Sequence, residues 1–328
     1  MRRTLVVQTA FLGDVVLTTP LLRALHGTGA EVSVVATPLG CAVLDGAPFV
    51  ARLRSYDKKK GEKGLAGTLR LGFALRRERF DVAIAAQRSF RSGVLVRLSG
   101  ARERVGFDGA AGRWAYTRKV AWNADRHAVH RYLALFDGPA DPTPELAIDP
   151  GAAARVEALL LEHGVAPADG VLAVAPGSVW GTKRWTPEGF RAVIEAAPAR
   201  GLKPVLVGSP EERPLCDAIG GAPVLAGTTG VAELTALLAR SRALVTNDSG
   251  PGHVASAVGT PVVAVFGPTV PSFGYTPFGE RNRIVELAGL DCRPCDRHGP
   301  QVCPLGHHRC MKDLHPSRVL AALDEVLA

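Results

Sequence analysis

Three stretches of this chain gather side chains that could do chemistry. The first is Phe11-Leu12-Gly13-Asp14, directly after an apolar run at residues 4–9. Gly13 allows a tight turn, and Asp14 falls in the first turn of the helix that the next residues specify. A carboxylate there has two uses. It satisfies free backbone N–H groups and the helix dipole, or it takes a proton from a bound hydroxyl. The residue pattern leaves both open. The second stretch runs Ala175-Pro176-Gly177-Ser178-Val179-Trp180-Gly181-Thr182-Lys183-Arg184-Trp185 and leads to a helix at Pro187. Small residues, hydroxyls and a Lys-Arg pair beside a helix N-terminus make a cradle for a diphosphate. The plain alternative is a surface loop with solvated basic residues. It is not a P-loop, because the Gly-Lys-Ser/Thr order is absent.

The third stretch is Thr246-Asn247-Asp248-Ser249-Gly250-Pro251-Gly252-His253. Ser249 and Gly250 offer backbone N–H groups at a helix start, Asp248 can hold sugar hydroxyls, and Pro251 suits a first turn whose N–H groups have no partner. His253 lies one turn into that helix, near any phosphate bound there, although a lone histidine is more often structural. Phe266-Gly267-Pro268-Thr269 ends the next apolar run and would border the same pocket. No glycine-rich dinucleotide fingerprint follows the first run, which weighs against NAD or FAD.

The six cysteines divide into two groups. Cys41 and Cys216 stand alone and read as small buried hydrophobes. Cys292, Cys295, Cys303 and Cys310 cluster near His298, His307 and His308. In a reducing compartment this spacing favours a metal over disulfides. The paired Cys-x-x-Cys pattern of a zinc ribbon is not met, so a reduced structural loop is the expectation, with the metal question open.

These stretches must be positioned by something, and the apolar pattern says what. Strand-like runs at 4–9, 31–36, 51–56 and 81–87 alternate with helical periods, and a helix is expected at 126–136. Residues 137–150 are proline-rich and lack helical period, as a linker would. The alternation restarts with strands at 171–175, 203–207, 224–226, 243–246 and 261–266, and helices at 187–199, 211–219, 231–240 and 251–258. Repeated β-α units imply parallel sheets with right-handed crossovers. At 328 residues two domains are expected, 1–150 and 151–328. The expected architecture is α/β: two Rossmann-like, doubly wound domains facing a cleft. Ligands of such sheets bind at the carboxyl ends of the strands, which is where all three stretches fall.

Charge is unevenly divided. Residues 1–150 hold 23 Lys/Arg against 14 Asp/Glu, a net +9, whereas 151–328 hold 16 against 17, a net −1. Lys58-Lys59-Lys60, Arg76-Arg77-Arg79 and Arg88 with Arg91 are the dense patches. Each patch alone is what a solvated surface carries. The asymmetry points to an anionic partner for the first half. Nucleic acid is one such partner, although no helix-turn-helix, zinc-finger or RNA-binding signature accompanies the charge, and an anionic lipid surface or phosphorylated glycolipid fits equally well. No apolar run approaches the ~20 residues of a membrane span. The opening Met-Arg-Arg and apolar run imitate an export signal, but Asp14 interrupts it and no small-residue cleavage site follows. The chain is expected in the cytoplasm.

Taken in order, Leu12-Gly13-Asp14, Pro176-Gly177-Ser178 with Lys183 and Trp185, Asn247-Asp248-Ser249-Gly250-Pro251 with His253, and Gly267-Pro268-Thr269 resemble the ADP-heptose–lipopolysaccharide heptosyltransferases of glycosyltransferase family 9. The likeness extends over nearly the whole chain and includes Tyr56-Asp57-Lys58, Arg91-Ser92, Arg104-Val105-Gly106-Phe107 and the string from Cys303 to Met311, which is similar to the heptosyltransferase II branch. The resemblance implies a GT-B fold and an inverting, metal-independent transfer of heptose to the lipopolysaccharide inner core, with no cofactor beyond the ADP-heptose donor. It implies that Asp14 is the base and that Lys183 serves both the donor and its departure. It carries donor contacts to Ser178, Val179, Asp248, Ser249, Gly250 and His253, and more loosely to Glu212 and Thr229. Lys58, Lys59, Lys60 and Arg91 are the acceptor-side candidates. The implied acceptor is an anionic glycolipid at the cytoplasmic face of the inner membrane, reached by a peripheral enzyme. Two other readings stand beside it: a related GT-B transferase or epimerase with another donor, and a nucleotide-binding module without catalysis. Asp14 and the basic first half argue against the module, since nucleotide binding needs neither. Oligomeric state is not legible.

Overall fold

The computed structural model describes residues 1–57 and 64–328, and these form two compact units, Met1–Ala147 and Ile148–Ala328. In the first unit six strands build one parallel sheet: β1 (Arg3–Gln8), β2 (Glu31–Ala36), β3 (Arg52–Ser55), β4 (Val82–Ala85), β5 (Glu103–Phe107) and β6 (Arg118–Val120). The spatial order is β3-β2-β1-β4-β5-β6. Its helices are α1 (Leu12–Gly27), α2 (Pro38–Leu44), α3 (Gly64–Arg76), α4 (Phe90–Leu98) and α5 (Ala128–Leu133). After its first residue β1 is wholly buried, because helices cover both faces, and that is why it reads as an unbroken Leu-Val-Val run rather than an alternating one. The chain steps outward from β1 to β3, then re-enters on the other side of β1 at β4. That reversal makes the β1/β4 junction the switch point, where open α/β sheets bind ligands.

The second unit repeats the plan with β7 (Gly170–Ala175), β8 (Leu202–Leu206), β9 (Ser241–Asn247), β10 (Val262–Phe266) and β11 (Arg283–Glu286), in the order β11-β10-β9-β7-β8. Here the reversal falls between β7 and β9. The helices are α6 (Pro150–Glu162), α7 (Pro187–Ala196), α8 (Arg213–Ile219), α9 (Val231–Arg240), α10 (Gly250–Ala257), α11 (Arg309–Lys312) and α12 (Pro316–Leu327). Several start on one local device, an N-cap acceptor followed by proline. Asp149 accepts from the Ala152 N–H at 2.6 Å and Thr186 from Gly189 at 3.1 Å, with Pro150 and Pro187 supplying the first helical φ. The core joins Leu172, Val174, Phe190, Leu206, Val245 and Val263 to Met311 and Leu323, so the last helix closes the sheet's face.

Four expectations need correction. Residues 224–226 form no strand, only a single bridge from Val224 to Leu206, since Pro223 and Gly227 bracket too short a run. The helix at 126–136 shrinks to α5, which His127 caps through its side chain. The supposed linker ends in the Asp149-Pro150 cap of α6 rather than in coil. Finally α10 begins at Gly250, one residue before Pro251.

Candidate functional site

At the first switch point, Phe11 occupies the N-cap of α1 and makes no side-chain cap, while Asp14 lies two residues into the first turn. Its Oδ1 accepts the Tyr132 hydroxyl at 2.7 Å. Tyr132 sits in α5, which packs along α1, so a residue 118 positions away holds this carboxylate. The partly buried Asp14 is therefore aimed by a phenol, and the N-terminal dipole of α1 favours its negative form. Thr9 Oγ1 donates to Gln87 Oε1 at 2.8 Å, tying the loop after β1 to the loop after β4. Arg91 is an exposed residue in the first turn of α4, on that same β4 loop.

The second switch point is built from β7 and β9. Ala175 and Thr246 are register partners at the carboxyl ends, and the Thr246 hydroxyl donates to the Ala175 carbonyl at 3.0 Å. The fully buried Asn247 donates to the Pro176 carbonyl at 2.7 Å and accepts the Trp185 N–H at 2.9 Å. One amide thus pins both ends of the loop that carries Ser178, Val179 and Lys183. Lys183 Nζ meets Asp248 Oδ2 at 2.5 Å, both side chains only about a tenth exposed (12% and 11%). The Thr269 hydroxyl donates to the same oxygen at 2.6 Å. Ser178 is buried and Val179 exposed in that loop, while Ser249 caps α10 in sequence and its hydroxyl shares a 3.1 Å hydrogen bond with Thr246. Gly250 opens α10, and His253 is buried one turn on. Lys183 with its Asp248 partner, the Ser249 and Thr269 hydroxyls and the start of α10 therefore lie together where β9 and β10 end. That set can hold a diphosphate.

A model of glycosyltransferase family 9 (heptosyltransferase) matches residues 68–304, well over half of the sequence. The chain belongs to glycosyltransferase family 9. This family 9 glycosyltransferase is 30% identical to lipopolysaccharide heptosyltransferase 1 of Pseudomonas aeruginosa, over 99% of its own length and 98% of that protein. It is 27% identical to lipooligosaccharide heptosyltransferase 2 of Haemophilus influenzae, over 99% of each chain. Its fold is the GT-B fold of E. coli ADP-heptose lipopolysaccharide heptosyltransferase II, with a TM-score of 0.80 at 24% identity, covering 100% of this chain and 98% of that one.

Within the family 9 chain the remaining candidates separate. Glu212 follows β8, and its Oε2 accepts the Ser209 N–H at 2.8 Å. Its carboxylate lies so close to Gly177 that a Cβ there would collide with it, which brings Glu212 to the loop of Ser178. Thr229 is not bonded to this cluster. It borders a surface pocket of ≈ 320 Å³ shared with Arg155, Leu159 and Glu233 of α6 and α9. Lys58, Lys59 and Lys60 lie outside the described residues. All six cysteines are free. Among the described residues no group of three or more His, Cys, Asp or Glu side chains is arranged to hold a metal. Burial first, then the charges of Cys292 and Cys303, push the Cys295 thiol up. Burial pushes the Cys310 thiol up to about 11.

Sequence reasoning did not find Tyr132 or the segment that braces the Lys183 loop. Gln301 takes the Gly181 N–H on its Oε1 and donates to the Val179 carbonyl, both at 3.0 Å. The His308 ring nitrogen meets the Thr182 carbonyl at 2.8 Å, and Trp180 stacks on His298 with ring centroids 6.0 Å apart. The cysteine-bearing segment thus works as a clamp on the loop. The Cys303–Met311 string was a visible signal, although its role was not.

Proposed function

We propose that this enzyme moves a heptosyl group from an ADP-activated heptose onto the lipopolysaccharide inner core, adding the second heptose. The reaction is an inverting displacement that needs no metal. Asp14, held by the Tyr132 hydroxyl at the end of β1, is the observation that carries the reading. A transferase must remove a proton from the acceptor hydroxyl as its oxygen attacks the anomeric carbon. The new C–O bond forms on one face while the bond to the diphosphate breaks on the other, through an oxocarbenium-like state. Asp14 takes the proton. Lys183 and the N–H groups at the start of α10 stabilise the charge that gathers on departing ADP.

In this reading the first unit receives the acceptor, with Arg91 and the lysines 58–60 attracting its anionic groups. The second unit holds the donor through Ser178, Val179, Lys183, Glu212, Asp248, Ser249, Gly250 and His253, and Thr229, which borders a separate pocket, takes no part in this cluster. The enzyme works as a peripheral protein at the cytoplasmic face of the inner membrane. The names of its relatives, which cover this chain end to end, support heptose and lipopolysaccharide as the substrates. The string Cys303–Met311 favours the second heptose over the first. The test is ADP release from ADP-heptose with and without a core acceptor carrying one heptose, read beside the acceptor's mass. Release that requires the acceptor, with a gain of one heptose, is expected. Release indifferent to acceptor, or preference for another nucleotide sugar, overturns the reading.

A further inference from the structure

The first unit leaves one rim unusually apolar. Leu39, Phe11, Phe90 and Trp114 are 58%, 51%, 51% and 54% exposed. They follow β2, β1, β4 and β5 respectively, four strands that are consecutive in the sheet. Each neighbouring strand is thus followed by one large exposed apolar side chain, in the loop or the first helical turn after its carboxyl end. At ~4.8 Å between strands the row spans roughly 15 Å.

The loops that carry these side chains are fastened together. Gly40 packs against Val15 of α1, Thr9 bonds Gln87 at 2.8 Å, and the Arg88 carbonyl accepts the Ala111 N–H at 3.1 Å. The Phe90 and Trp114 rings lie 5.8 Å apart. Exposed Arg91 and Arg113 stand next to them in sequence, on a unit whose residues 1–150 carry +9. Exposed aromatics interleaved with arginine match the headgroup zone of an anionic bilayer, where rings bury their apolar bodies and guanidinium groups meet phosphates.

We propose that Phe90 and Trp114, with Leu39 and the flanking Arg91 and Arg113, dock the first unit onto an anionic lipid surface. The purpose of this surface rests on the proposed glycolipid acceptor, but its existence can be tested without any acceptor.

The test floats the full chain with vesicles of phosphatidylglycerol and phosphatidylethanolamine, or of phosphatidylcholine alone. Wild type should bind the anionic vesicles preferentially. Phe90→Ser/Trp114→Ser, which forfeits burial of two half-exposed rings, should bind them at least about tenfold more weakly. Arg113→Glu should erase the preference for anionic lipid. Vesicles with brominated acyl chains should quench wild-type tryptophan fluorescence more than that of Trp114→Phe, a readout that survives if the double variant folds poorly. With a water-soluble, deacylated acceptor, kcat/KM of the double variant should match wild type. Unchanged vesicle binding overturns the proposal, as does equal quenching in Trp114→Phe. An equal loss on the deacylated acceptor overturns it too, making the rings a sugar platform. If vesicle binding behaves as expected but no acceptor-dependent transfer occurs, the transferase reading fails and the surface stands.

Discussion

The proposed donor role of Lys183 and its ion pair with Asp248 are separated by one pair of variants. The Lys183 ammonium is held by Asp248 at 2.5 Å, with the side chains only 12% and 11% exposed. Lys183→Met leaves the largely buried carboxylate without its cation, with the Thr269 hydroxyl still donating to it. Breaking a buried ion pair from one side costs about 3–5 kcal/mol, and the surviving hydroxyl argues for the lower figure. For a unit the size of Ile148–Ala328, each kcal/mol lowers Tm by about 2–4 °C. The single variant should therefore melt roughly 6–12 °C below wild type. It should also bind ADP about 10–100-fold more weakly, because a charge-assisted hydrogen bond of about 1.5–3 kcal/mol is lost.

Adding Asp248→Asn removes the orphaned charge while keeping a polar group beside Thr269. Lys183→Met/Asp248→Asn should thus regain most of the lost Tm yet keep the weak ADP binding. Differential scanning fluorimetry and isothermal titration with ADP read the two quantities independently. If the single variant melts with wild type, the Lys183–Asp248 pair is not a buried contact. If the double variant recovers full ADP affinity, Lys183 only neutralises Asp248 and has no part in holding the diphosphate.

Asp14→Asn should cut turnover by ~10²–10⁴-fold with ADP affinity unchanged by titration; more than a tenth of wild-type activity would remove Asp14 as the base. Tyr132→Phe, which deletes the hydroxyl aiming that carboxylate, should lower kcat by about tenfold and leave the donor KM in place, whereas a change confined to KM would make Tyr132 a binding residue. Transfer assayed in EDTA should match transfer in magnesium, and a magnesium-reversible loss would contradict the metal-free mechanism. Burial lifts the Cys216 and Cys310 thiols from the ordinary 9.0 to about 11 and the Tyr116 phenol from 10.0 to about 12. These groups ionise earlier in the unfolded chain, so the stability their burial contributes is present below about pH 9 and lost as pH climbs towards 12. Tm should accordingly hold from pH 7 to 8.5 and fall above pH 9, while iodoacetamide at pH 8 should spare Cys216 and Cys310 in the native protein; a flat Tm or prompt labelling of either thiol would count against their burial.

What could be read from the sequence was local. The runs at β1, β7, β9 and β10 are continuous because both faces of their sheets are covered, and the Gly, Pro, Asp and Ser residues that end them announce turn-to-helix junctions. The candidate site was legible to that extent: Asp14, Ser178, Lys183, Asp248 and Ser249 each stand at such a junction. Three strands were missed: the interior β5, whose Val-Gly-Phe run is broken by Gly106 beneath the Tyr116 ring, and two edge strands with a shared cause. β6 reads Arg-Lys-Val and lies at the sheet edge, and β11 reads Arg-Ile-Val-Glu at the edge of the other sheet. Charged edge strands carry no apolar run to detect. The pairings were hidden for another reason. Lys183 finds Asp248 across 65 residues and Tyr132 finds Asp14 across 118, and neither separation has a periodicity. Each follows from strand order. Because the chain reverses beside β7, the loops after β7 and β9 become neighbours, and Asn247 can then pin both ends of the Lys183 loop. Gln301 and His308 brace that loop from a turn-rich segment with no pattern of its own. A short motif can therefore nominate a lysine for diphosphate binding. Its charge partner and its brace exist only once topology has brought three distant segments together, so the energetics of the site belong to the fold rather than to the motif.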